Sequence, residues 1–307
     1  MRGFVAPTDY GWYQFLRARP ELREVNFWRP SQARFGALRA GELFFFKLKA
    51  PHNMIGGFGL YTRGDVMPAW EAWDVFGSAN GTATLDEMLA RMGQLSGADA
   101  GALDVDDWIG CLAINEPIFF PPDEWVPVPA NWSRNIVSGK TYELAEGEGR
   151  VLYERCLAKA AELTAVEGPQ PPLHERYGPG QLVHPRLGQA SFRIAVLEAY
   201  SKRCAITGER SLPVVEAAHI RPYASGGEHA VPNGLPLRRD IHRLFDLGFV
   251  SIRPDRSFAV STSLRDAYKN GKVYYDLEGR SIHAPTALDD APSPEALEWH
   301  YEEVFRR

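Results

Sequence analysis

Residues 216–246 read EAAHIRPYASGGEHAVPNGLPLRRDIHRLFD, and this segment gathers three of the chain's 8 histidines with an asparagine and a carboxylate. His219 ends the apolar run VVEAAHI, which reads as a strand, so its side chain is held stiffly, as a general base requires. Asn233 stands 14 residues on, in PNGL, where its amide can tie a loop by hydrogen bonds to the backbone. His242 follows 9 residues later and Asp246 4 after that, and residues four apart share one helix face, so the pair can hold one cation. Leu244 and Phe245 give DIHRLFDLG an inward face, and Gly248 gives it a stop. Taken singly, each residue has a plainer reading, since a lone histidine is commonly structural and Asn-Gly is commonly a turn. The ordered set carries the chemistry: imidazole takes a proton from water while a divalent cation stabilises charge on a phosphate oxygen.

The 307 residues, 45% hydrophobic, suffice for two ordinary cores. A net charge of −5 argues against a polyanionic partner, yet its distribution does not. Leu182 to Asn270 holds 13 Lys+Arg against 8 Asp+Glu, a local +5 that leaves the rest of the chain at −10. The positive excess surrounds the histidine segment, as a phosphate-facing site needs, and random fluctuation of surface charge is the competing explanation. Arg221, Arg238, Arg239 and Arg243 flank the segment, either as phosphate contacts or as solvated arginines. Cys111, Cys156 and Cys204 form no CxxC pair and read as small buried hydrophobes. No apolar run reaches about 18 residues and the N-terminus lacks a secretion pattern, so a soluble cytoplasmic protein without a membrane partner is expected.

Along the chain, LFFFKL and IGGFGLY read as strands, TLDEMLARMGQL as a helix capped by Thr84, and DVDDWIGCLAINEPIFFPPDEW as a strand stopped by paired prolines. GRVLYERCLAKAAELTAV predicts a helix with Val151, Leu152, Cys156, Leu157 and Ala160 on one face. The stretch after it is too rich in proline and glycine to continue a helix or central strand. The expected organisation is a first domain over 1–165, a linker over 166–188 and a second domain over 189–307, of α+β class. In the second, ASFRIAVLEAYSKR predicts a helix burying Phe192, Val196, Leu197 and Tyr200, while CAITG and PVVEAAHI are short strand candidates.

CAITG, EAAHIRPY, NGLPLRRDIHRLFD and FVSIRPD together resemble the zinc-free bacterial branch of the HNH endonucleases over about residues 186–282. The resemblance implies a ββα-metal fold in which His219 is the general base, Asn233 orders the loop and His242 binds a divalent metal ion, Mg²⁺ or Mn²⁺. Ala218 departs from the pattern, because many members place Asp or His there as a further ligand. The cation must then use Asp246, Glu216 or water, and Asp246 is preferred for its helical spacing from His242. Glu216 lies three before His219 and so points to the opposite sheet face. The family offers His229 no fixed role.

NFWRPS, GELFFFKLK, IGGFGLY and AWEAWDVFG resemble, less specifically, the PUA-like superfamily, in particular its EVE and YTH readers. That implies a β-barrel-type domain holding a flipped, modified base between aromatic rings. Trp28, Trp12, Trp70, Trp73 and Tyr61 are the candidate walls, Asn26 or Ser31 the edge readers, and Lys47 or Lys49 a phosphate contact, although most such aromatics serve a core. Together the resemblances imply a modification-dependent endonuclease of type IV restriction character acting on double-stranded DNA with a methylated or hydroxymethylated cytosine. One such site cuts one strand, so a homodimer or two events would make a double-strand break. The alternatives are a phosphorothioate-dependent or non-specific HNH nuclease, and a non-catalytic binder of modified nucleic acid whose HNH fold is only scaffold.

Overall fold

A computed structural model describes residues 1–96, 103–133, 135–164 and 188–306. The chain divides into two compact units, Met1–Pro185 and Arg186–Arg307. The expected linker at 166–188 lies, except for its last residue, outside the described residues.

The first unit is built on one mixed sheet of β1 (Arg2–Thr8), β2 (Glu24–Arg29), β3 (Leu43–Leu48), β4 (Met54–Pro68), β5 (Trp108–Phe119), β6 (Val126–Pro127) and β7 (Lys140–Glu143). Its order is β2-β5-β4-β3-β1-β7 with β6 on β4; β1 and β3 run parallel and the other pairs antiparallel. The sheet does not close, since β2 and β7 remain its edges among the described residues, and this corrects the barrel-type expectation.

LFFFKL is apolar on both of its alternating faces because both faces of β3 are covered. Leu43 and Phe45 join Val5 and Phe58 in a core with Leu152, Cys156 and Ala160 of α4 (Gly147–Thr164). Phe44 and Phe46 enter an aromatic layer with Phe27, Phe119 and Trp12 of α1 (Tyr10–Arg17), where ring centroids lie 4.8–5.9 Å apart. Leu152, Cys156 and Ala160 are buried as the helical spacing predicts, whereas Val151 is exposed. Thr84 caps the helix Leu85–Ser96, accepting from the Glu87 amide at 3.2 Å, while the Glu87 carboxylate reaches back to Ala83 N.

In the second unit, β8 (Val215–His219) and β9 (Gly234–Arg238) form an antiparallel hairpin that runs directly into α6 (Arg239–Asp246). The helix α5 (Gln189–Ala199) packs on the hairpin. Glycine at 234 permits this approach, for a Cβ there would lie 2.3 Å from Val196 Cγ2 and 2.8 Å from Phe192 Cζ. CAITG is a turn rather than a strand: Ala205 N donates to Pro236 O, and Cys204 Sγ accepts from Arg238 N, so the segment buttresses β9 without joining its ladder. The FVSIRPD strand is present as β10 (Val250–Ile252), paired with β11 (Phe258–Val260). All three cysteines are free and buried. No helix among the described residues is long and apolar enough to cross a membrane.

His300, in the helix Pro294–Glu303, locks this unit together. Its ring stacks on Phe245 at 3.5 Å and 11°, Nδ1 meets Ser251 Oγ at 2.9 Å, and Nε2 meets the Phe245 carbonyl at 3.2 Å. Burial lowers its pKa from 6.5 to about 4. The unfolded chain therefore takes up this proton first, so the stability that neutral His300 contributes is complete above pH 6.5 and is lost as pH falls toward 4. Chemical denaturation at the two ends of that window is expected to show the C-terminal transition weakened by roughly 3 kcal/mol, and a His300→Gln variant should lack about one proton's worth of the slope.

Candidate functional site

The hairpin presents different chemistry on its two faces, because successive residues of a strand alternate. His219 ends β8 opposite Gly234, on the α5 face. Its ring lies on Phe192, with centroids 3.9 Å apart and planes 11° from parallel. Its Nε2 lies 3.0 Å from Nδ1 of His229. Burial, then the charges of His229 and His242, lower the His219 pKa to about 4, so the imidazole stays unprotonated and able to accept a proton throughout the neutral range.

Glu216 projects to the other face, where α6 lies. Its carboxylate meets His242 Nδ1 at 2.8 Å and accepts from Arg239 Nε at 2.6 Å. Burial alone would raise its pKa, but these two partners hold the carboxyl below its usual range. One turn along the helix, Asp246 Oδ2 lies 3.6 Å from His242 Nε2. His242 and Asp246 thus place an imidazole nitrogen and a carboxylate oxygen on one helix face, within reach of a single cation. His242 and Asp246 therefore fit as a two-donor set whose imidazole is oriented by a further carboxylate. Among the described residues no group of three or more His, Cys, Asp or Glu side chains is arranged around a common point. Two protein donors suit a magnesium-like ion, which keeps several waters and takes substrate oxygens.

The loop between the strands is closed by Asn233. Its Oδ1 accepts from Arg221 N, and its Nδ2 donates to Arg221 O and Glu228 O, each at 2.9 Å. A Cβ at Gly227 would lie 1.9 Å from the Arg221 carbonyl oxygen, so the loop closes on bare backbone there. Of the flanking arginines, Arg238 is paired with Asp240 through two 2.7 Å contacts, Arg239 with Glu216, and Arg221 with Ser225 O and the Trp299 ring. Arg243 is exposed and has no side-chain partner among the described residues.

A cavity of about 440 Å³ opens in the first unit, lined by Trp12, Phe27, Trp28, Arg29, Ser31 and Lys49 among others. Both indole N–H groups are already committed, Trp12 Nε1 to Asn26 O at 3.1 Å and Trp28 Nε1 to Asn80 O at 2.9 Å, so these rings are rigid walls. Asn26 does not line the cavity: it is buried, donating to Asn80 Oδ1 and accepting from Leu112 N. Tyr61, Trp70, Trp73 and Lys47 also lie off the lining. Tyr61 packs against Phe35, and the buried Lys47 donates to Asn53 Oδ1.

Residues 204–253 match the HNH endonuclease family. The match runs from the CAITG turn through the hairpin and α6 to β10, so the chain carries an HNH endonuclease domain in its second unit. No curated protein sequence matches the chain. Among solved structures, the ASCH protein of Zymomonas mobilis and a point mutant of it are each similar to 50% of this chain at 12% identity and a TM-score of 0.32, covering 94% and 96% of their own lengths. The modification-dependent TagI restriction endonuclease is similar over 85% of this chain and 60% of its own, at 12% identity and a TM-score of 0.29.

Within the HNH domain, the sequence reading ranked Glu216 below Asp246 as a ligand and gave His229 no fixed role. Strand parity places Glu216 opposite His219, and it lies there, but that is the face on which α6 brings His242. Position 218, where many HNH proteins have a ligand, shares this parity, and that was the available signal. No hydrogen bond among the described residues joins His219 to His242; their coupling is electrostatic. Asn233→Ala removes three hydrogen bonds from one loop, two of them to buried or half-buried backbone. A loss of about 1–3 kcal/mol is expected, together with faster amide exchange over residues 220–230, measured by hydrogen exchange.

Proposed function

We propose that the protein is a modification-dependent DNA endonuclease, in which the HNH domain hydrolyses a phosphodiester bond and the first unit, acting as a PUA-like reader, selects DNA bearing a modified cytosine. The observation that carries the nuclease half is the placing of His219 at a strand end against Phe192, electrostatically coupled to His242, inside the segment that matches the HNH family. His219 takes the proton of the attacking water, Asn233 holds the loop that frames it, and Arg243, exposed and without a side-chain partner among the described residues, meets a phosphate. His242 and Asp246 would hold a Mg²⁺ or Mn²⁺ ion, which when bound supplies positive charge for the phosphate oxygens. The reader half rests on the aromatic cavity, whose volume admits a planar base between apolar walls, with Ser31 and Lys49 as its polar contacts.

A second reading, a binding protein that does not cut, is favoured by Ala218 and by the two-donor cation set. Plasmids carrying 5-methylcytosine, hydroxymethylcytosine, phosphorothioate or no modification, each with Mg²⁺, Mn²⁺ or EDTA, separate the readings. Metal-dependent cutting confined to cytosine-modified plasmid is expected. Equal cutting of unmodified plasmid removes the reader, and binding without cutting under any metal selects the second reading. His219→Ala should lower the cleavage rate at least about 100-fold while a mobility shift of modified DNA is retained. Trp28→Ala should leave cutting competent but reduce the preference for modified over plain DNA about 10-fold or more.

A further inference from the structure

The contact between His219 and His229 lies outside the roles assigned so far. We propose that His229 is a positioning residue that fixes which imidazole nitrogen of His219 faces the attacking water, an inference that rests on the nuclease reading above. The Phe192 face sets the plane of the His219 ring but cannot distinguish its nitrogens, since a stacking contact is unchanged when the ring turns over within its plane. Only a directional contact can do so, and among the described residues the one at this ring joins His219 Nε2 and His229 Nδ1 at 3.0 Å, with His219 assigned here as the donor. A neutral imidazole has one N–H and one lone pair. With Nε2–H donated to His229, the lone pair of His219 stands on Nδ1, and that nitrogen is the base.

His229 is itself well placed to act as a fixed acceptor. Its ring stacks on Tyr223, with centroids 5.2 Å apart and planes 19° from parallel, and meets the edge of Phe192 at 5.8 Å. Its chain neighbour Glu228 gives its carbonyl to Asn233 Nδ2. The loop that Asn233 closes therefore delivers a hydrogen-bond acceptor to the base, which explains physically why an asparagine remote from the reacting atoms would matter to catalysis.

Three substitutions in the full chain test this. His229→Ala removes the acceptor, His229→Leu keeps bulk against Tyr223 without one, and His229→Asn keeps an oxygen at the same number of bonds from Cα as Nδ1. Two readouts are used: single-turnover cleavage of modified plasmid, separated into rate and apparent KM, and ¹⁵N imidazole spectra of the metal-free, DNA-free protein, which report the tautomer directly. Wild type and His229→Asn are expected to show His219 protonated at Nε2, with the Asn variant cutting within about threefold of wild type. The Ala and Leu variants should show mixed tautomers and a rate lowered about 10- to 100-fold at unchanged KM, by analogy with the orienting partners of metal-bound histidines. A wild-type rate in His229→Ala, or an unaltered His219 tautomer, overturns the proposal, as does a failure of Asn to restore what Leu loses. If His219→Ala instead cuts like wild type, it is the nuclease reading that fails, and the spectra still decide whether the pairing sets the tautomer.

Discussion

The second unit depends on one side-chain amide. Asn233 meets three backbone groups of the 220–233 loop, and its own carbonyl accepts from Ile220 N at 2.9 Å, so a long connection returns to the hairpin as a closed ring. A loop of this length carries many backbone donors and acceptors that no ladder satisfies, and a planar amide offering both types of group answers several of them from one position. Because the loop is closed, His229 arrives beside His219 instead of lying at a free turn.

From that closure follows a division of labour between the faces of two short strands. The α5 face is aromatic and drier, and it favours the neutral form of His219. The α6 face is polar and ionic: Glu216 joins Arg239 to His242, and Asp246 lies one turn further on beside the His242 ring. A base needs poor solvation to remain unprotonated, whereas a cation site needs concentrated negative charge, and the two demands conflict within one small volume. In the proposed nuclease, placing the base and the cation donors on opposite faces of a hairpin would resolve the conflict while leaving His219 and His242 electrostatically coupled.

The parts of this arrangement legible in the sequence were those set by local periodicity. LFFFKL declared a strand, Thr84 declared a helix start, and the spacing of His242 and Asp246 declared one helix face. What escaped was decided by packing between segments distant in sequence. CAITG has the composition of a strand, but its backbone groups find Pro236 O and Glu209 O, which turns it aside. Glu216 was judged by its direction relative to His219 alone, and nothing local said which helix would cover which face. Asn26, polar among aromatics, looked like a reader's hydrogen-bonding group, yet its amide joins β2 to Asn80 and β5 within the scaffold. The openness of the sheet was invisible for the same reason, since closure depends on whether two edge strands meet.

Trp12 and Trp28 surrender their only donors to main-chain carbonyls behind them. What those two rings show to a guest is carbon, so they cannot interrogate its atoms one by one. On the proposed reading they act as apolar walls, and any chemical spelling of a guest falls to polar lining groups such as Arg29, Ser31 and Lys49. A guest that differs by one added substituent would be sorted first by whether it fills the gap.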